Sequence, residues 1–360
     1  MGFFSNWVTP AARSYVLIDV GSRSVGFGLV SYTKGKRPAL RYTLRKPIER
    51  RGNEQPTSAM VRTVAAMLAE ATSRSSGVLR AATGSGRPDA VLVSVASPWQ
   101  TSTVRIERVE EKKPFTFTRS RMEQVIKETA TVDFSEAGAS ENAMAVVING
   151  YHTGKPFGKK ATRADIFVLS SVLDREATDG IATAIRAAYH DIPHEFTAFS
   201  PLAYAVLRDV YPHEHNFLML DVSGETTDIA LIKQGLLVSV MSTPIGANHF
   251  IPGSSGKTDA SAAARKEWIQ NVSASLKMFS EDNALPRALF LLADGDITEP
   301  VRKALDDESL RSLWLSDEPL CILPVAHQHF APLLTLGASA EPDIFIDLLA
   351  LFHEKHLGVL

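Results

Sequence analysis

Short apolar runs separated by turn residues dominate the first fifty positions. The runs YVLIDVG, GFGLVSYT and ALRYTLRKPI, with the turn-forming TKGKRP before the last, predict three consecutive strands over residues 15–48. A helix is predicted over 57–72, because apolar residues recur there at helical spacing: Met60, Val61, Val64, Leu68 and Ala71. The Ser- and Gly-rich segment over 73–88 predicts a loop.

The middle of the chain mixes extended and helical patterns. AVLVSVA (90–96), STVRIERVE, AMAVVINGY and DIFVLSSV (165–172) read as strands, and helices are predicted from Arg119 to about 130 and from near Asp174. A further helix is predicted over 196–212, with Ser200 as its N-cap and Pro201 at its first position.

The second half repeats the opening of the first. NFLMLDVSGETTDIALIKQGLLVSVMSTPIG is again strand, turn, strand, turn, strand, and its D-x-S-G turn parallels the D-x-G turn at Asp19. A long helix (about 258–280), a buried strand (288–295), a short helix capped by Thr298 and a final apolar helix, DIFIDLLALFHEK, complete the prediction.

Composition narrows the class of protein. A chain of 360 residues predicts two lobes, and 45% hydrophobic with 22% charged residues is ordinary for a globular protein. The net charge of −2 gives no global attraction to nucleic acid, and a single cysteine, Cys321, fits a reducing cytoplasm. We expect neither a membrane-spanning helix nor a secretion signal, because no apolar run is long enough.

The two D-x-G-like turns carry the candidate chemistry. Gly21 permits a tight turn, and successive amides after it could form a nest for phosphate oxygens. The predicted phosphate-binding residues are Asp19, Gly21, Ser22, Arg23 and Ser24 in the first turn and Asp221, Ser223, Gly224, Thr226 and Thr227 in the second. Asp19 and Asp221 are the candidate Mg²⁺ residues, acting through bound waters.

This pair of turns resembles the two phosphate motifs of the actin, sugar-kinase and Hsp70 superfamily. The resemblance implies an α/β, two-lobed actin-like (ribonuclease H-like) ATPase fold that holds ATP and Mg²⁺ between its lobes, with Gly295 near the adenosine. The stretches AVLVSVASPWQTSTVRIE, FTFTRSRMEQVIKETA and NAMAVVINGYHTGKPFGKKATRADIFVLSSV resemble the inserted subdomain of the bacterial cell-division family FtsA. The PilM family of pilus-assembly proteins is a near relative, and DVGSRSV resembles it equally well.

Three departures from the superfamily pattern weaken the expected catalysis. Glu225 stands where the family has Gly, and we expect Arg23 to screen its charge from a phosphate. LLADGDITEP has one Gly where the adenosine loop carries two, and Ser200 replaces a water-orienting Gln or Glu. The chain is therefore expected to be at most a weak ATPase.

The predicted domains follow the resemblance. They are a tail (1–14), a first lobe (15–87 and 176–212), an FtsA-type insertion (88–175), a second lobe with a reduced fourth subdomain (213–340) and a C-terminal amphipathic helix (341–360). The last helix could dock on its own domain, on a protein partner or on a membrane. The basic stretch 34–51 is either a solvated strand edge or a contact surface.

The predicted function is that of a cytoplasmic, nucleotide-binding scaffold that joins the parts of a membrane-associated division machine, with peripheral contact at the inner face of the cell membrane as an option. We expect self-association, for which the strand edges of VRIERVE and FVLSSV are candidates, and no binding of nucleic acid. The alternatives are a PilM-like pilus scaffold, a kinase or hydrolase of the same superfamily, and a scaffold that uses no nucleotide.

Overall fold

The protein is built on three sheets. The computed structural model describes residues 13–84, 86–130, 140–251, 262–282, 284–314 and 320–356, so the predicted tail lies almost entirely outside it. The first sheet has the order β15-β3-β2-β1-β4-β9. Its strands are β1 (Arg13–Val20), β2 (Ser24–Tyr32), β3 (Ala39–Pro47), β4 (Ala90–Val95), β9 (His194–Ala198) and β15 (Thr335–Ser339).

The second sheet repeats this plan, as the internal repeat predicts. Its order is β12-β11-β10-β13-β14, formed by β10 (Phe217–Val222), β11 (Thr227–Lys233), β12 (Leu236–Thr243), β13 (Ala288–Ala293) and β14 (Cys321–Pro324). In both sheets an antiparallel three-strand meander is extended by parallel strands next to its first strand. The turns after Asp19 and Asp221 therefore occupy equivalent positions, each joining the first two strands of its own sheet's meander.

The inserted unit has a sheet and a small core of its own. β5 (Gln100–Thr116), β8 (Lys160–Leu173), β6 (Ser140–Ile148) and β7 (Tyr151–His152) form an antiparallel sheet in that order, with α2 (Arg119–Glu128) beside it. β8 is central, so the FVLSSV segment offers no free edge and that part of the prediction is wrong. β5, which contains VRIERVE, is an edge strand, and it lies beside β12.

The helices separate the sheets into layers. Odd and even residues of β1 point to opposite faces: Val16 and Ile18 pack with α1 (Pro56–Thr83) and α3 (Arg175–Tyr189), whereas Leu17 packs with α4 (Phe199–Val210) and α9 (Ile344–His356). Phe217 and Met219 of β10 join the same core as Leu17. The helices α4 and α9 therefore lie between the two lobes.

The second lobe is covered on its outer face by four helices. They are α5 (Ala247–Phe250), α6 (Ala262–Asp282), α7 (Thr298–Leu305) and α8 (Glu308–Arg311). Between β12 and β13 the described residues form only α5 and α6, and the reduced fourth subdomain stays a prediction.

Three local predictions were wrong. Helix α1 continues to Thr83 instead of ending near 72, because Leu79 extends its buried stripe and Gly84, at φ 75°, ends it by donating to the Arg80 carbonyl. Helix α4 begins at Phe199 after Ala198, so Ser200 is not its N-cap. Thr298 is the first residue of α7 and follows its N-cap, Ile297.

The C-terminal helix docks on its own chain, the first of the three predicted alternatives. α9 contacts β1, β2 and α4, and it buries Ile346, Leu348, Leu349 and Leu351.

Two strands belong to a different lobe from the one predicted. β15 was predicted in the second lobe but pairs with β3, and β4 was predicted in the insertion but lies between β1 and β9. The two lobes are thus discontinuous in sequence. Among the described helices, none has both the length and the apolar character needed to cross a bilayer.

Candidate functional site

The two turns meet face to face. They share one geometry: the Gly21 N–H donates to the Ser24 carbonyl and the Ser223 N–H to the Thr226 carbonyl, each at 3.1 Å. The Ser22 N–H and hydroxyl both lie 2.9 Å from Ser223 Oγ, and the Glu225 N–H donates to Ser22 Oγ at 2.8 Å. The Ser22 and Glu225 N–H groups and the two serine hydroxyls are thus bonded across the cleft to the opposite turn.

Gly224 makes this contact possible. A Cβ at position 224 would lie 2.7 Å from the Ser22 carbonyl oxygen and 2.9 Å from the Arg23 nitrogen. These are backbone atoms, which cannot turn aside as a flexible side chain can. The glycine therefore allows the second turn to approach the first closely, which leaves no gap for a phosphate between them.

The Arg45 side chain of β3 lies in the cleft and forms ion pairs with three carboxylates there. Its guanidinium contacts Asp343 through Nε at 2.7 Å and through Nη2 at 2.8 Å. The same Nη2 donates to Asp19 Oδ2 at 3.0 Å, and Nη1 lies 3.6 Å from Asp294 Oδ1. The Phe345 ring lies below it, 4.9 Å from Cζ. One cation thus joins β1, the turn after β13 and the start of α9.

Arg23 makes a second bridge between the lobes. Its guanidinium pairs with Asp296 at 2.5 Å and Asp294 at 3.6 Å, and donates to Asn248 Oδ1 at 3.3 Å. It does not pair with Glu225, so the expected screening by Arg23 is wrong. The Asn248 amide donates to the Glu225 carboxylate at 3.1 Å instead.

A third polar group lies deeper, where the base of the insertion meets the second lobe. The Asp228 carboxylate accepts from Ser97 Oγ at 2.7 Å, Gln100 Nε2 at 3.2 Å and Ser200 Oγ at 3.3 Å. All four residues are buried. Ser200, which the sequence analysis compared with a water-orienting residue, is therefore used to bind a neighbouring carboxylate.

Burial raises the pKa of the cleft carboxyls. The pKa of Asp19 is raised to about 6 by burial, against the opposing effect of Arg45. The pKa of Asp221 is raised well above its usual value by burial and by the nearby charges of Asp228, Asp19 and Asp294. The Asp221 carboxyl has no hydrogen bond or ion pair to another described side chain that would oppose this rise in its pKa.

The residues present do not fit ATP and Mg²⁺. The cleft between the turns encloses a cavity of about 10 Å³, room for roughly one water, whereas ligand pockets have volumes of roughly 300 Å³ or more. Arg45 and Asp294 fill the space beside the turns, and burial disfavours the charged form of Asp221 that hydrated Mg²⁺ would need. In the described parts of the chain, no three His, Cys, Asp or Glu side chains are placed to hold a metal together.

The structure brings most of the predicted residues together. Those that line the cavity are Asp19, Gly21, Arg23, Ser24, Asp221 and Ser223. Ser22 and Gly224 form the contact between the turns, and Thr226 closes the second turn. Thr227 points away from it: its hydroxyl donates to the Ile245 carbonyl and accepts from Trp268 Nε1. Gly295 does not line the cavity.

Sequence reasoning missed Arg45, Asp294 and Asp343 as cleft residues. Arg45 was one of many cations in the basic stretch 34–51, and nothing local distinguishes it from Arg41, which is exposed on the same strand. A signal for Asp343 was present, because it directly precedes an apolar helical run; it accepts from the Phe345 and Ile346 N–H groups.

Comparison with known proteins identifies the fold. No model of a known family and no curated protein sequence matches the chain. A solved PilM–PilN type IV pilus biogenesis complex contains a chain that superposes with a TM-score of 0.61 at 17% identity, covering 94% of this chain and 98% of that one. The chain has an actin-like ATPase fold. The fold predicted from sequence is confirmed at this level.

Two further solved structures match the chain at lower TM-scores. A protein of Bacteroides thetaiotaomicron with an actin-like ATPase fold matches at a TM-score of 0.43 and 12% identity, covering 98% of this chain and 99% of that one. The ethanolamine utilization protein EutJ from Carboxydothermus hydrogenoformans matches at 0.35 and 13%, covering 96% and 92%.

Proposed function

We propose that this protein is a non-catalytic assembly scaffold on the actin-like fold, acting through protein contacts with its cleft closed. The observation that carries the proposal is the filling of the phosphate site by Arg45 and by the bonds between the two turns. Of the readings that the sequence left open, this geometry favours the scaffold that uses no nucleotide.

The charges of the cleft argue against a kinase or hydrolase. Phosphoryl transfer depends on groups that position metal ions and phosphates and orient the nucleophile. Here Asp19 and Asp294 are paired with Arg45, burial disfavours the charged form of Asp221, and Asp228 accepts three side-chain hydrogen bonds. The described acids of the cleft thus have structural partners or a raised pKa.

The partner class rests on the likeness to the PilM–PilN structure. The alignment covers nearly the full length of both chains, which supports a similar role. We propose accordingly that the chain is a cytoplasmic component of a membrane-associated machine of the pilus type, at the inner face of the membrane. The cell-division role of FtsA is the alternative, and the two differ in the partner that is bound.

Calorimetric titration with Mg-ATP tests the closed cleft. We expect no heat and no thermal shift for the wild-type chain, because the phosphate site is filled. Bound nucleotide at a hundred times its Kd would stabilise the fold by about 2.7 kcal/mol, which a melting curve detects. Saturable binding by the wild type would overturn the proposal. The Arg45→Ala variant in parallel reports whether Arg45 alone excludes the ligand.

A further inference from the structure

The distal end of the inserted sheet is strongly basic. Two segments meet there, residues 112–121 and 149–163, which we call the basic tip. They are held together because β5 pairs with β8 at Phe115 and Ala161, and the Phe117 N–H donates to the Lys159 carbonyl. All the charged residues of both segments are Lys or Arg, in a chain whose net charge is −2. The tip is therefore a local positive surface on a mildly acidic protein.

Most of these charges have no acidic partner. Arg121 pairs with Glu111 and Arg163 with Asp165. The other six side chains are exposed and form no ion pair with any described residue: Lys112, Lys113, Arg119, Lys155, Lys159 and Lys160. Such a set of like charges raises the local potential, which an anionic surface would relieve.

Two aromatic side chains project among these cations. Tyr151 is 78% exposed and Phe157 is 39% exposed. The turn that carries Tyr151 is ordered by Asn149, whose Oδ1 accepts from the Thr162 and Arg163 N–H groups at 2.9 and 3.1 Å. The tip thus presents aromatic rings from a fixed backbone and not from a loose loop.

The faces of the Phe157 ring are already occupied. It stacks on Phe117 with a 2° angle between the planes and a 6.1 Å centroid separation, and the Arg119 guanidinium lies 4.8 Å from its centroid. Proteins that bind single-stranded nucleic acid stack bases on free aromatic faces along a groove. Phe157 is engaged in these contacts, which leaves Tyr151 as the single free Tyr or Phe ring of the tip rather than a row of stacking platforms, and the tip residues line neither the cleft nor the groove between α4 and α9.

We propose that the basic tip binds the surface of an anionic lipid bilayer. Lysines on flexible stems suit a surface of mobile headgroups, and Tyr and Phe beside them suit the interfacial region. The exposed lysines come from two neighbouring segments and surround the exposed Tyr151, an arrangement that suits a broad anionic surface better than an acidic peptide, which needs a pocket for its side chains. The site is separate from the closed cleft, and the proposal is independent of the role proposed for the cleft.

Each lysine near an anionic surface raises binding by roughly fivefold. The triple variant Lys155→Glu, Lys159→Glu, Lys160→Glu should therefore lower vesicle binding by more than about 100-fold. The matched control reverses three exposed charges in the turn between β2 and β3: Lys34→Glu, Lys36→Glu and Arg37→Glu. Both triples change the net charge equally, so only the position differs.

Co-sedimentation with vesicles tests this, with phosphatidylglycerol-containing vesicles compared with vesicles of phosphatidylcholine alone. We expect the wild type to bind only the former, less at high salt, with a large loss for the tip triple and a small loss for the control triple. Tyr151→Ser should weaken vesicle binding severalfold. Because this side chain is not part of the core, the variant provides a second test if the tip triple fails to fold. Absence of wild-type binding, or equal loss in both triples, would refute the proposal. The proposal would also be refuted if the tip triple lost its binding to polyglutamate or to an oligonucleotide but still bound vesicles.

Discussion

At the scale of single residues, buried charged side chains connect distant parts of the chain, and Arg45 is the clearest case. Its side chain is 23% exposed and contacts three carboxylates on three different segments. The pKa of Arg45 is raised, because the attraction of Asp343, Asp19 and Asp294 outweighs the effect of burial. A residue at one end of a strand thereby holds together parts of the chain that are far apart in sequence.

We expect Arg45→Met to destabilise the protein by about 3 kcal/mol or more, since it leaves buried carboxylates without a counter-charge. Arg45→Lys should recover only part of the loss, because one ammonium cannot reach three acids as the planar guanidinium does. Urea unfolding measures both. Arg41→Met is the matched control on the same strand and should change stability little, since Arg41 is exposed. Equal effects of the two Met variants would show that the cluster contributes nothing.

A second buried acid makes stability depend on pH. Asp347 of α9 is fully buried beside His327, 2.7 Å from Oδ2 to Nδ1. Burial, with the added charge of Asp343, raises the pKa of Asp347 from 3.8 to about 8, and burial lowers the pKa of His327. Both shifts favour the uncharged forms of these two side chains.

The sign of the pH effect follows from the raised pKa of an acid. The folded state binds a proton that the unfolded state releases, so this stability is complete below about pH 4 and is lost as pH rises towards 8. Melting curves should show wild-type stability falling across this range, by at most about 1.4 kcal/mol per pH unit from this group. Asp347→Asn should remove that part of the slope, whereas the exposed Asp179→Asn should not. An unchanged slope in Asp347→Asn would contradict the assignment.

At the scale of elements, close packing of α9 on β2 depends on a small residue. A Cβ at Gly28 would lie 2.5 Å from Ile346 Cγ2, in the fully buried contact between the helix and the first sheet. We expect Gly28→Ala to destabilise by about 1–3 kcal/mol through overpacking. Ile346→Ala removes the Cγ2 methyl group that a Cβ at position 28 would meet, whereas Ile346→Val would keep it. The double variant Gly28→Ala, Ile346→Ala should therefore lose less stability than the sum of the two single variants.

The control for this prediction also tests the length of α1. Gly77 is exposed within the helix, and a Cβ there would meet nothing within 4 Å. Gly77→Ala should stabilise the protein by about 0.5–1 kcal/mol, because alanine is the better helix former. A neutral or destabilising result would mean that the helix ends earlier, where the sequence analysis placed it.

At the scale of the whole molecule, α4 and α9 join the lobes on one side and the polar bridges of the cleft join them on the other. Self-association stays a prediction, and of its two candidate strand edges only that of β5 remains, since β8 is central. Ile106 on β5 is 45% exposed, and Met278 on α6 is 57% exposed. Sedimentation at increasing protein concentration should show association that Ile106→Glu reduces and Met278→Glu does not. A monomer at all concentrations would exclude self-assembly.

The sequence by itself determined the elements whose pattern is local. The meander of β1–β3, its repeat in β10–β12 and the helix N-capped by Asp174 follow from apolar periodicity and turn residues, which act within a few positions. The two Asp turns could be found for the same reason, and their repetition indicated that they would face each other. The length of α1 was missed because polar Ser and Gly residues hid a buried stripe that only its packing partners reveal.

Tertiary structure alone decided the state of the cleft. Whether Asp19 and Asp221 face a phosphate or an arginine depends on Arg45, Asp294 and Asp343, which lie on separate segments and meet only in the folded chain. Their carboxyl pKa values likewise depend on burial, which no stretch of sequence displays. A turn motif can therefore be read from local sequence, but whether its amides are free for a ligand is decided by whatever the rest of the chain places opposite them.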